Sequence, residues 1–169
     1  VECRAFTFFR HPVTRAVSMF YYLQSATWEP TYDEALSGMS LLEYAHSDHA
    51  EENWVVRSLT NEFEEPLEVQ HVEVSKEILR RKVLVGIMEA FDQSVVRFEK
   101  YFGWWEAVEF NVSVLRCQRE RMAGGDNRND HPKVGPETEE FQVLADRNWA
   151  DMELYQYAKE LFKEQASLV

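Results

Sequence analysis

Apolar residues recur along this chain with two spacings, and together they predict alternating strands and helices. Residues 4–10 and 82–88 are short apolar runs rich in Phe or Val, which are typical of buried strands. Each run is followed by a segment with apolar residues at helical spacing, residues 12–26 and 89–102. Strands that alternate with helices indicate an α/β fold with a parallel sheet.

Helical spacing dominates the rest of the chain. We expect helices at residues 32–45, from a cap at Asp48 to residue 59, and from a cap at Ser75 to residue 81. Two closing helices are expected at residues 137–145 and 148–165. The predicted architecture is therefore helix-rich, with the parallel strands flanked by helices.

Composition indicates a single folded domain that covers residues 1–169. Hydrophobic residues make up 45% of the chain and aromatic residues 14%, which is enough for a substantial core. The formal net charge of −12 argues against nonspecific nucleic-acid binding, which depends on cationic side chains. A negative surface is still compatible with a local cationic pocket for a small anion. The sequence has no apolar run long enough to cross a bilayer.

Two cysteines, Cys3 and Cys117, are too few for a metal-binding cluster, and no metal site is expected. The sequence leaves open whether they pair with each other, pair with other cysteines or stay free. The triplet Asn111-Val112-Ser113 fits an N-glycosylation acceptor in a luminal or secreted protein. The chain begins at Val1, directly before a strand that is typical of a domain interior, so we expect it to be the C-terminal portion of a longer domain.

The most informative chemistry lies where the first predicted strand meets the first predicted helix. Arg10 ends the strand, Pro12 suits the first position of a helix, and Ser18 follows in the N-terminal half of that helix. Helix N-termini present unpaired N–H groups, and an arginine can hold two phosphate oxygens at once. The junction therefore predicts a phosphate site. The same pattern also occurs in α/β proteins whose strand-end arginine is only a solvated or paired charge.

Residues 4–23 resemble the 3'-phosphate-binding motif of sulfotransferases that use 3'-phosphoadenosine 5'-phosphosulfate (PAPS) as donor. The shared pattern is an apolar strand, then Arg-x-Pro-x-x-Arg-x-x-Ser, then aromatics, and it is closest to the Golgi-type carbohydrate sulfotransferases. The resemblance implies that Arg10 and Ser18 hold the 3'-phosphate, whereas the place of Arg15 suggests a structural salt bridge. His11 stands where the family usually has Asp.

Later segments extend the likeness in the expected order. Residues 83–104 resemble a core strand and helix that ends in a Gly-Trp turn, and residues 147–162 resemble the family's C-terminal helix. Turn-forming residues concentrate in residues 104–136 and predict a long loop, similar in place and character to one that closes over the donor. This likeness implies that Arg128 and Lys133 contact the nucleotide, with Arg128 the better match; the alternative for both is a solvated surface charge.

Taken together, the resemblance implies a P-loop-like three-layer fold and transfer of a sulfuryl group from PAPS to an acceptor hydroxyl. A carbohydrate acceptor and the Golgi lumen follow from the same likeness, with protein partners also possible. We name no catalytic residue, because the family's 5'-phosphosulfate loop and its base lie upstream of the Arg-Pro-Arg-Ser motif.

An alternative class is a noncatalytic, sulfotransferase-like binding or scaffold subunit. Its interface anchors would be Trp28, Trp104 and Trp105, since exposed tryptophans often anchor interfaces. A P-loop kinase-like nucleotide binder is disfavoured, because the sequence has no Walker-type loop.

Overall fold

Helices make up most of the structure, and they surround two short parallel strands. The computed structural model describes residues 5–104, 112–114, 116–117, 120 and 131–168. The strands are β1 (Ala5–Phe9) and β2 (Val83–Ile87). The α-helices are α1 (Pro12–Leu23), α2 (Leu41–His46), α3 (Trp54–Thr60), α4 (Val69–Lys82), α5 (Phe91–Phe102), α6 (Glu139–Arg147) and α7 (Trp149–Glu164). Short 3-10 turns lie at Glu34–Gly38, Met88–Ala90 and Gln165–Leu168.

The parallel sheet confirms the α/β prediction at the coarse level. β1 and β2 pair in register from Ala5 opposite Val83 to Phe9 opposite Ile87. All of β2 is buried, as its continuous apolar sequence predicts. Gly86 contributes by having no side chain, because a Cβ there would lie 2.6 Å from Cζ of Phe98. The missing side chain lets an aromatic ring of α5 pack directly on the strand.

Two groups of buried apolar side chains hold the elements together. The first joins β2 to α4 and α7, and it includes Leu79, Val85 and Leu154. The second joins α1 to α2 and α6, and it includes Phe20 and Tyr44. β2 and the helices bury the apolar positions that the hydrophobic spacing predicts. The prediction of a buried strand is wrong for most of β1, because Ala5, Phe6 and Thr7 are exposed and only Phe9 is buried.

The helix predicted at residues 32–45 is wrong as a single element. A 3-10 turn ends at Gly38, the chain is extended at Met39 and Ser40, and α2 begins only at Leu41. The Ser40 hydroxyl accepts the N–H of Glu43, and the Glu43 carboxylate accepts the N–H of Ser40 at 2.7 Å. This capping box starts a new helix where apolar spacing alone suggested continuity.

Two predicted helix starts are also wrong. α3 begins at Trp54 with Asn53, not Asp48, at its N-cap position. α4 begins at Val69, so Ser75 lies inside it, where its hydroxyl donates to the carbonyl of His71 at 2.8 Å. In the long predicted loop, residues 112–114 and 116–117 are helical, which contradicts that prediction for them. No described helix is both long enough and apolar enough to span a membrane.

Candidate functional site at the carboxyl edge of the sheet

The candidate site lies where the two parallel strands end. Parallel pairing places the ends of β1 and β2 at one edge of the sheet, and open α/β sheets bind ligands at that edge. Arg10 and His11 follow β1 directly, and the turn Met88–Ala90 follows β2. We call this region the carboxyl edge.

Arg10 and Ser18, the two predicted phosphate ligands, are both half-buried. Within the described part of the chain, neither side chain has a hydrogen bond or an ion pair. Pro12 occupies the first turn of α1, and the N-cap residue His11 makes no capping hydrogen bond with its side chain. The start of α1 therefore leaves N–H groups without a side-chain cap, as an anion site requires.

Arg15 of the same motif forms structural ion pairs, as predicted. Its Nη1 lies 3.0 Å from Oε2 of Glu51, and its Nη2 lies 3.6 Å from Oδ2 of Asp151. The guanidinium also lies over the Trp54 ring, 5.3 Å from its centroid. These partners leave Arg15 tied to α3 and α7 and not directed at a ligand.

Asp151 extends this ion pair into a helix cap. Its two carboxylate oxygens accept the N–H groups of Val55 and Val56 at 3.0 and 2.8 Å, which caps α3 from α7. Burial raises the pKa of the Asp151 carboxyl. Burial also raises the pKa of the Glu51 carboxyl, and the positive charge of Arg15 offsets part of that rise. The network stabilises the packing of α1 on α3 and α7.

Asn53 and Asn148 form a second buried link that the sequence analysis missed. Asn53 adopts a left-handed conformation with φ of 50°, and its N–H donates to Oδ1 of Asn148 at 2.9 Å. Its own Oδ1 accepts the N–H of Ala150 at 2.8 Å. Both asparagines are fully buried, so their side-chain amides make structural hydrogen bonds and are not accessible to a ligand.

A cluster of His11, Glu89, Tyr155 and Lys159 occupies the carboxyl edge, and we call it the edge cluster. The His11 N–H donates to Oε1 of Glu89 at 3.2 Å, and the His11 ring meets the Tyr155 ring edge-on at 5.4 Å. Nζ of Lys159 lies 5.1 Å from the Tyr155 ring centroid. Burial raises the pKa of the Tyr155 hydroxyl strongly, and the Glu89 carboxylate adds to that rise.

Sequence reasoning did not identify Glu89 as part of the site. One signal was present: Glu89 follows β2 closely, as Arg10 follows β1, and parallel strand ends converge. Next to Glu89, Ile87 and Ala90 line a cavity of about 260 Å³ together with Lys159 and Lys163 of α7. The carboxyl edge is therefore concave beside the edge cluster.

Protonation of His11 should destabilise the fold. Burial lowers the pKa of His11 from its ordinary value of 6.5, Glu89 partly offsets this, and Lys159 adds to it. Its Nδ1 is buried without a hydrogen-bond partner among the described residues. The unfolded chain then binds the proton at a higher pH than the folded chain. The stabilising contribution is therefore complete above pH 6.5 and is lost as the pH falls toward the lowered pKa.

In the wild-type protein, the free energy of unfolding should decrease as the pH falls below 6.5, and in His11→Asn this decrease should be smaller. Urea denaturation at several pH values measures both. His46→Asn is the control, since His46 is an exposed histidine. An unchanged slope in the His11 variant would contradict the expectation.

Of the two residues predicted to contact the nucleotide from the long loop, only Lys133 lies within the described structure. Lys133 is exposed and has no hydrogen bond or ion pair with a described residue. Arg128 lies outside the described residues. The His131 ring stacks on Tyr21 with centroids 5.4 Å apart, which brings the end of the predicted loop against α1.

Other chemistry is limited in the described ranges. They contain no group of three or more His, Cys, Asp or Glu side chains placed to hold a metal ion. Cys117 is exposed and free, and Cys3 lies outside the described residues.

A scan against protein-family models found no match, and searches of curated proteins and of solved structures found no similar chain.

Proposed function

We propose that this chain belongs to a PAPS-dependent sulfotransferase, which transfers a sulfuryl group to an acceptor hydroxyl, on a carbohydrate, in the Golgi lumen. One observation carries the proposal. Arg10 and Ser18 of the motif have no described partner, while Arg15 of the same motif is held in ion pairs. In this proposal β1 and β2 are part of a larger P-loop-like, three-layer sheet.

The donor would bind through its 3'-phosphate. The planar guanidinium of Arg10 offers two parallel hydrogen bonds to phosphate oxygens, and the Ser18 hydroxyl offers another. The uncapped start of α1 adds N–H groups and the positive end of the helix dipole. Lys133 and Arg128 would close over the nucleotide from the loop.

Sulfuryl transfer requires little from these groups beyond positioning. An acceptor oxygen forms a bond to sulfur while the bond from sulfur to the 5'-phosphate oxygen breaks, and a base takes the acceptor proton. PAPS is a co-substrate in this scheme, and the adenosine 3',5'-bisphosphate leaving group keeps its 3'-phosphate on Arg10 and Ser18. Binding energy at that remote phosphate would hold the donor in line with the acceptor.

Replacing Arg10 with alanine should weaken the binding of adenosine 3',5'-bisphosphate by roughly tenfold to a hundredfold, the loss expected for hydrogen bonds to a charged group. Isothermal titration of the folded protein measures the effect. Ser18→Ala should give a smaller loss in the same direction, because a hydroxyl contributes one neutral donor.

Arg80→Ala is the matched control, because Arg80 is an exposed arginine on α4 whose guanidinium pairs with Glu77. It removes the same charge away from the carboxyl edge and should leave nucleotide affinity unchanged. Equal affinities for wild type and the Arg10 variant would reject the assignment of Arg10.

A noncatalytic scaffold is the second candidate, and the exposure of two tryptophans favours it. Trp28 is 72% exposed and Trp104 is 44% exposed, while Trp105 lies outside the described residues. Large exposed aromatic side chains are enriched in protein interfaces. A folded wild-type protein that fails to bind the nucleotide in the titration above would favour this candidate.

A further inference from the structure

The N–H of the N-cap residue of α1 is bound by a residue distant in sequence. In a capping box, the side chain at the third helical position accepts the N–H of the N-cap residue. The N-cap here is His11 and the third position is Thr14, whose hydroxyl instead donates to the His11 carbonyl at 2.8 Å. The His11 N–H donates at 3.2 Å to Glu89, a residue 78 positions further along the chain.

We propose that Glu89 is the positioning residue of the phosphate-binding turn, acting through the N–H of His11. The peptide group that carries this N–H joins Arg10 to His11, so the hydrogen bond orients the backbone on which the Arg10 side chain stands. The inference rests on the proposed function for the identity of the anion. The hydrogen bond itself is observed independently of that function.

Glu89 is exposed, but the turn that carries it is held in place by buried hydrogen bonds. It lies in the turn Met88–Ala90, and Ser94 ties that turn to α5. The Ser94 hydroxyl accepts the N–H of Ile87 at 2.9 Å and lies 2.9 Å from the Ala90 carbonyl, to which it donates. Ser94 is fully buried, which makes this support rigid. β2 and α5 therefore fix the turn from which the Glu89 carboxylate contacts the N–H of His11.

The charge and the acceptor role of Glu89 act in opposite directions on an anion. As an acceptor, its carboxylate orders the turn, but its negative charge repels a phosphate bound beside it. Tyr155 lies beside this carboxylate, and Lys159, over the Tyr155 ring, adds a positive charge to the edge cluster. Substitution separates the two effects, since glutamine keeps an acceptor oxygen without the charge and alanine removes both.

Titration with adenosine 3',5'-bisphosphate distinguishes these roles. Glu89→Gln should bind with wild-type or several-fold higher affinity, and Glu89→Ala should bind about tenfold more weakly than Glu89→Gln, the cost of losing one hydrogen bond that orders the site. Glu34→Ala, at an exposed glutamate in the turn Glu34–Gly38, should match wild type. Equal affinities of the alanine and glutamine variants would overturn the inference, because both lack the charge and only glutamine keeps the acceptor.

Amide hydrogen exchange at His11, followed by NMR, tests the same hydrogen bond without a ligand. The amide should be protected in wild type and in Glu89→Gln, and it should exchange about tenfold faster in Glu89→Ala. Unchanged protection in the alanine variant would overturn the positioning role. If wild type fails to bind the nucleotide, the proposed function fails, and the exchange result still decides whether Glu89 orders the turn.

Discussion

Replacing Asp151 with alanine should lower the free energy of unfolding by about 3–5 kcal/mol, the usual cost of breaking a buried ion pair by removing one partner. The side chain of Asp151 is 1% exposed, and its loss leaves Arg15 with Glu51 as its only carboxylate partner among the described residues. The N–H groups of Val55 and Val56 also lose their acceptors. Because whole domains are stable by only about 5–15 kcal/mol, we expect a large shift in the urea midpoint.

Two companion variants make this result specific. Asp146→Ala removes an exposed carboxylate from the neighbouring helix α6 and should change stability by less than about 0.5 kcal/mol. Asp151→Asn keeps one acceptor oxygen for the N-terminus of α3 and should fall between wild type and alanine. A loss below about 1 kcal/mol in Asp151→Ala would show that the network contributes little to the fold.

Replacing Phe20 with alanine should cost about 3–5 kcal/mol, the range found when a large aromatic side chain is removed from a core. Phe20 is 1% exposed and stacks on Tyr44 of α2 with ring centroids 4.7 Å apart. Its edge contact with Tyr21 adds a second aromatic partner at 5.0 Å. The cavity would lie between α1 and α2, where backbone packing limits its collapse. Urea denaturation measures the loss.

The control for this cavity is Phe63→Ala. Phe63 is 56% exposed, so the substitution removes the same ring without opening a buried space. Its expected effect is within about 0.5 kcal/mol of wild type. A similar loss for both variants would mean that the contribution of Phe20 does not come from core packing.

Local signals in the sequence predicted much of the secondary structure. Pro12 marks the start of α1, and Gly103 ends α5 in the left-handed conformation with φ of 62°, as predicted. The apolar run of β2 predicted a buried strand, and the structure confirms it. These features depend on a residue and its near neighbours along the chain, which is why a single sequence reveals them.

The errors occurred where distant residues decide local structure. α3 begins at Trp54 because Asp151, some 95 residues away, caps its first N–H groups and because Asn53 pairs with Asn148. Apolar spacing carries no information about such partners. Arg15 is an intermediate case, since the sequence predicted a salt bridge and the structure supplied Glu51 and Asp151 as the partners.

For the candidate site, the sequence by itself determined the residue types at the strand-to-helix junction, Arg10 and Ser18 among them, and their role in holding a phosphate stays a prediction. The sequence also predicted parallel strands, but only the tertiary structure decided the register of β1 against β2 and the contact of Glu89 with the N–H of His11. The physical reason is the distance along the chain between the residues that interact. Helix starts, turns and apolar faces arise from interactions over a few residues, whereas strand pairing and buried polar contacts depend on which distant segments meet when the core closes.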